Sequence, residues 1–222
     1  MLNKKYLAEI IGTFALVFCG TGAIIINEQT HGVITHVGVA ITFGLIILAM
    51  IYSFGENSGA HFNPAVTISF AIAKLFPAKQ ITPYIIAQLT GAFLATLILK
   101  FLFPENVNLG ATLPAGSQMQ SFILEFILTF FLMTVILNVS QGSKEVGVMA
   151  GIAIGATVGL EAMFAGAICG ASMNPARSIA PAIISGNINT LWIYILAPIS
   201  GAAAATLIWR TMNNTNKHET SA

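Results

Sequence analysis

Asn63-Pro64-Ala65 and Asn174-Pro175-Ala176 repeat one three-residue wording far apart in the chain. Asparagine is a helix N-cap, and proline at the first helical position loses nothing by lacking an N–H. A helix start leaves unpaired N–H groups and a partial positive charge. Its chemistry is therefore hydrogen-bond donation and repulsion of cations. Arg177 directly follows the second motif, and His61 and Ser172 each stand two residues before an asparagine. Glu9, Glu125 and Glu161 fall inside apolar runs, and the cysteines, Cys19 and Cys169, do likewise.

These residue types admit more than one chemistry. Ser172 with His61 would form a nucleophile and base, but they adjoin motifs that already explain them and lack a nucleophile turn. Glu9 and Glu125 would titrate in a proton-coupled transporter, or else accept hydrogen bonds from the backbone of a neighbouring loop. Bracing is favoured, because buried charge must be paired. His61 is a pH switch or, preferably, a loop brace whose carbonyl does the work. Cys169 is either a mercury-sensitive thiol or inert. Glu161 faces a neighbouring helix, an interface or a vestibule, and the residues leave that choice open. Two cysteines in apolar context suggest neither a disulfide framework nor a metal-ligand cluster, and no cofactor is implied.

The elements that position these residues lie in a membrane. Of 222 residues, 56% are hydrophobic and 8% charged, against roughly 25% charged in a soluble domain. Mean hydropathy is +0.84. A formal charge of +1 without a basic block excludes nucleic acid as a partner. Twenty glycines suit close approach between helices.

Six runs have the ~20 residues a span needs: Leu7–Ile26, Val33–Ser53, Ile81–Phe103, Phe122–Val139, Val146–Ile168 and Leu191–Trp209. The first is too long for a signal-peptide core, contains Glu9 and lacks a small-residue cleavage pattern. Pro64–Leu75 and Pro175–Ile184 are too short to cross and read as re-entrant half-helices. With the N-terminus inside, Lys4, Lys5, Lys74, Lys79, Lys144, Arg210 and Lys217 face the cytoplasm and Lys100 lies outside. The tail from Asn213 is polar and expected to be mobile.

The chain repeats itself. Tyr84–Ile98 matches Tyr194–Ile208, Ser58–Ala65 matches Cys169–Ala176, and Glu9, Thr13 and Phe14 are echoed by Glu125, Thr129 and Phe130. Each half, about 5–110 and 118–212, holds three spans and a half-helix, so the second enters from the opposite face. One all-α transmembrane domain over 1–222 follows, with its two half-helices tip to tip and residues 213–222 as a cytoplasmic tail. The carbonyls of Gly59, Ala60, His61, Gly170, Ala171 and Ser172 would face a lumen as acceptors, with Asn63 and Asn174 as central donors. Water or a small polyol exchanges its hydration for such contacts. A cation is repelled by both dipole ends and by Arg177, and central donors turn neighbouring waters opposite ways, breaking a proton relay.

The paired boxes, the loop Ser58-Gly59-Ala60-His61-Phe62-Asn63-Pro64-Ala65-Val66-Thr67 and Asn174-Pro175-Ala176-Arg177-Ser178 resemble the aquaporin, or major intrinsic protein, superfamily. The wording Gly170–Arg177 and Leu191–Tyr194 looks most like its nodulin-like intrinsic proteins. The resemblance implies an hourglass pore, a homotetramer and an outer constriction whose positions fall on Phe43, Ala162, Ala171 and Arg177. Water-selective members usually carry histidine at the place of Ala162. Polyol facilitators usually pair two aromatics and carry Asp where this chain has Ser178. One aromatic, two alanines and an arginine imply a wider, more apolar filter. The expectation is a passive channel, not an enzyme, in the plasma or inner membrane, with both termini cytoplasmic. It would pass water and small neutral solutes such as glycerol, urea or metalloid acids. A strictly water-selective channel and a secondary transporter using Glu9 and Glu125 are the alternatives.

Overall fold

The computed structural model describes residues 3–143 and 147–219. Helices α1 (Lys4–Gln29), α2 (Thr35–Ser58), α4 (Ile81–Leu102), α5 (Gln118–Ser140), α6 (Ala150–Cys169) and α8 (Leu191–Glu219) are long. All six are apolar enough to cross a membrane. Between them lie the half-helices α3 (Pro64–Ile72) and α7 (Pro175–Ser185). Lys144 and Val146, named above, fall outside the described residues.

Hydropathy places the spans but not their ends, because polar residues supply the caps. Helix α1 starts at Lys4 because the Asn3 side chain accepts from Lys5 N. Helix α5 starts at Gln118 because Ser117 accepts from Gln120 N. Helix α2 runs past Ser53 to Ser58 and stops where Gly59 turns left-handed, φ 84°. Helix α8 continues beyond Asn213 to Glu219, so most of the tail is a helical extension rather than a loose segment.

The inverted repeat is physical. Helix α4 crosses α1 where Gly91 lies against the Ile10 carbonyl, and α8 crosses α5 where Gly201 lies against the Phe126 carbonyl. Each crossing residue directly follows a glutamate, Glu9 or Glu125. A side chain at either glycine would collide with that backbone, so glycine brings each glutamate close to the last span of its half. Helices α2 and α6 cross through Gly44 and Gly155, where a Cβ on Gly44 would lie 2.7 Å from the Gly155 oxygen. Helix α3 packs against α4 and α8, and α7 against the same two spans. The half-helices are thus clamped between the halves with their N-termini facing.

Candidate functional site

The loops entering the half-helices share an unusual backbone. Gly59, Ala60 and Phe62 have φ of 84°, 50° and 49°, and Gly170, Ala171 and Met173 have φ of 89°, 41° and 53°. Left-handed backbone costs a residue with a Cβ about 1–2 kcal/mol. Buried carboxylates hold it in place. Glu9 Oε1 accepts from Ser58 Oγ (2.7 Å) and His61 N (3.0 Å), and Oε2 from Phe62 N and Gln88 Nε2 (both 2.7 Å). Glu125 accepts from Ser172 N and Met173 N, both at 2.8 Å. Every one of these groups donates to a carboxylate oxygen, so each loop is tied to its glutamate.

The loops then deliver the asparagines. Asn63 Oδ1 caps α3 through Ala65 N (2.9 Å), and Asn174 Oδ1 caps α7 through Ala176 N (3.0 Å) and Arg177 N (3.4 Å). Each amide also crosses to the other half: Asn63 Nδ2 donates to Met173 O (2.7 Å) and Asn174 Nδ2 to Phe62 O (2.8 Å). An amide has two N–H groups; one ties the opposite loop, and the other makes no hydrogen bond to the described residues.

Both asparagines line a cavity of about 790 Å³. Its wall includes Gly59, Ala60 and His61 from the first loop and Ala171 and Ser172 from the second, with Phe43, Ala162 and Arg177 beside them. Gly170 is not in this wall; it turns against Thr112, where a Cβ would lie 2.9 Å from the threonine methyl. The six expected carbonyls accept no hydrogen bond within the described residues. Leu16, Ile47, Val66, Leu132 and Val158 make the rest of the lining largely apolar. The cavity reaches Glu56 and Asn57 at the end of α2.

Phe43, Ala162, Ala171 and Arg177 converge. The Arg177 Cζ lies 5.2 Å from the centroid of the Phe43 ring, within cation–π range. Arg177 is 2% exposed. Its Nη1 donates to Gly110 O at 2.8 Å, and its Nε has no partner among the described residues. Phe43 is backed by Gly20, where any Cβ would run into the ring. Ala162 and Ala171 line the same cavity.

The remaining candidates occupy structural positions. His61 stacks on Phe70 at 4.8 Å, and its Nδ1 lies 3.1 Å from Thr67 Oγ1. Ser172 Oγ donates to Asn174 O (2.9 Å) and meets Ser178 Oγ at 2.6 Å. His61 and Ser172 share no hydrogen bond, so the dyad is not assembled. The Cys169 thiol is buried, bonds to Ala165 O at 3.5 Å and is outside the cavity wall. Glu161 is buried away from the cavity. No metal-holding group of His, Cys, Asp or Glu occurs among the described residues.

Sequence reasoning missed Gln88, Thr67, Ser178, Thr112 and Gly110. Gln88 donates to Glu9 and to Thr67 Oγ1 (2.9 Å), and Thr67 Oγ1 donates to Asn63 O (3.0 Å). Thr112 Oγ1 donates to Ser178 Oγ at 2.8 Å. A signal existed for two of them: Thr67 and Ser178 each stand four residues after a box asparagine. Another existed for Gln88, a polar residue in an apolar repeat whose second copy has Pro198.

Known proteins agree with this architecture. The family model described as "Major intrinsic protein" matches residues 1–209. "Aquaporin NIP1-1" of Oryza sativa subsp. japonica is 47% identical over 215 residues, covering 96% of this chain and 76% of the relative. "Nodulin-26" of Glycine max is 44% identical over 215 residues, covering 96% of this chain and 79% of the relative. The X-ray structure of the aquaglyceroporin from Plasmodium falciparum superimposes with a TM-score of 0.80 at 26% identity. That match covers 93% of this chain and 94% of that one. Six membrane-spanning helices, two capped half-helices meeting at their tips and a match along almost the whole sequence lead to one assignment: the chain belongs to the major intrinsic protein family.

Proposed function

We propose that the cavity is the conduction path of a passive channel for water and small neutral solutes, glycerol among them. The carrying observation is that one cavity touches both box asparagines and Phe43, Ala162, Ala171 and Arg177 together. In this reading Asn63 and Asn174 each offer one N–H at the centre, and the carbonyls of Gly59, Ala60, His61, Ala171 and Ser172 offer acceptors to either side. A solute replaces its lost water contacts one at a time, and the apolar wall opposite keeps it from binding tightly. No group forms or breaks a covalent bond, so the chain acts as a channel and not as an enzyme.

Cations are repelled by three positive features along the path: the N-terminal ends of α3 and α7 and the guanidinium of Arg177. The two alanines leave space that a strict water filter would close, which favours a range that includes glycerol over water alone. The carboxylates that a coupled transporter would titrate are both engaged by loop N–H groups. The protein would lie in the cell membrane as a homotetramer with both termini cytoplasmic, an orientation supported by the distribution of lysines.

Stopped-flow light scattering on proteoliposomes tests the reading. Water and glycerol permeabilities should both exceed those of empty vesicles with low activation energy, and an imposed proton gradient should not drive glycerol uphill. Uphill movement would favour the transporter.

A further inference from the structure

Helices α2 and α6 carry two of the four proposed filter residues, Phe43 and Ala162, and pack in an antiparallel register. Gly44 meets Gly155, where a Cβ on Gly44 would lie 2.7 Å from the Gly155 oxygen. Four residues nearer the start of α2, the Ala40 carbonyl lies 3.5 Å from a Cβ placed on Gly159. One more step of four on each helix pairs His36 with Met163. There the contact changes kind: His36 Nε2 lies 2.9 Å from Met163 O. A carbonyl only accepts, so Nε2 carries the hydrogen and donates. The other end of the pair is fastened the same way. The Tyr52 hydroxyl donates to Val148 O at 3.0 Å, just before α6 begins.

Glycine also makes room for the histidine. Gly166 stands about one turn beyond Met163, and a Cβ there would lie 2.9 Å from His36 Cε1. His36 and Met163 are both exposed, and neither belongs to the cavity wall. The bond touches no solute; what it fixes is an angle. At Gly44 and Gly155 backbone meets backbone, with no side chain between them to resist rocking of one helix on the other. Ala162 stands seven residues past Gly155, about 10 Å along the axis. A tilt of about 5° at the crossing would move its methyl by about 1 Å on that lever. Met163, where the histidine holds, is the next residue.

We infer that His36 is a positioning residue for selectivity. Its bond to Met163 O holds the α6 turn carrying Ala162 against α2, and so sets the gap between Ala162 and Phe43. The inference rests on the reading of those two residues as part of the filter. One hydrogen bond shifts an equilibrium by a factor of about two to ten. Releasing this one lets the turn swing away from Phe43, a change that favours glycerol over water.

Water and glycerol permeabilities of proteoliposomes holding full-length wild type, His36→Ala, His36→Gln and Gly166→Ala test it. The glycerol-to-water ratio should rise about twofold or more in His36→Ala. It should stay near wild type in His36→Gln, whose amide supplies an N–H in place of Nε2. Gly166→Ala keeps the histidine but displaces its ring, so it should raise the ratio as His36→Ala does, and should add nothing in the His36→Ala background. It decides the matter if His36→Ala does not fold. Both permeabilities falling together at an unchanged ratio, or His36→Gln behaving like His36→Ala, overturns the inference. Ala162→His, measured beside them, separates the two readings. If it lowers the ratio while His36→Ala and Gly166→Ala leave it alone, the filter stands and the inference falls. If none of the variants moves the ratio, both fall.

Discussion

The side-chain amide of Asn63 donates to the backbone carbonyl of Met173, 2.7 Å away in the other half of the chain. Asn174 returns the contact to Phe62 O at 2.8 Å. Each asparagine is thus a cap for its own helix, a tie to the opposite loop and a source of one remaining N–H. Asn63→Ala removes the cap and leaves the Met173 carbonyl without its donor, a combined cost of about 2–4 kcal/mol. The expected outcome is a lower unfolding temperature in detergent together with loss of water permeability. Full permeability in Asn63→Ala would contradict the conducting role of the amide.

The two glutamates are unequal, and that inequality is measurable. Glu9 holds four donors, two of them from side chains, whereas Glu125 holds two backbone N–H groups in the corresponding loop. Each buried donor left unpaired costs about 1–3 kcal/mol. Glu9→Leu should therefore destabilise the protein more than Glu125→Leu, as read by thermal unfolding of the purified protein. Equal losses would mean that the Ser58 and Gln88 bonds contribute nothing.

Phe43 is held back by the absence of a side chain at Gly20. A methyl there collides with the ring and should drive it toward Arg177 and the cavity. Gly20→Ala is expected to reduce glycerol flux more than water flux in the same vesicles. A glycerol-to-water ratio equal to that of wild type would show that the ring does not bound the path.

Ala162, placed in the proposed filter, presents only a methyl group to the cavity. Ala162→His should depress glycerol permeability far more than water permeability, because the added ring narrows the opening and adds a polar wall. Unchanged glycerol flux would mean that the narrowest point lies elsewhere.

How far the sequence could be read follows from the range of each interaction. Asn63 and Asn174 announced their half-helices because capping is local: an asparagine, a proline and a short apolar run suffice. The inverted repeat was legible for the same reason, since Tyr84 and Tyr194 or Glu9 and Glu125 stand in matching local contexts. The Asn63–Met173 tie was not legible, because it depends on how two loops from different halves pack. Gln88 illustrates a middle case. Its position in an apolar repeat was visible, but the distance that brings it to Glu9 is set by Gly91 crossing α1 at Ile10. The end of α8 was misread because a polar run following a span looks like a loose tail, whereas the helix continues to Glu219. Gly170 is absent from the cavity wall that Gly59 joins, and its α-carbon faces Thr112.

The most direct test measures water and glycerol permeability on one set of proteoliposomes, with wild type beside the double variant Asn63→Leu/Asn174→Leu at matched protein content. Wild type should shrink and refill faster than empty vesicles for both solutes without conducting ions, and the double variant should fall to the empty-vesicle rate. Wild-type vesicles no more permeable than lipid alone, or a double variant that conducts like wild type, would contradict a path running past the two asparagines.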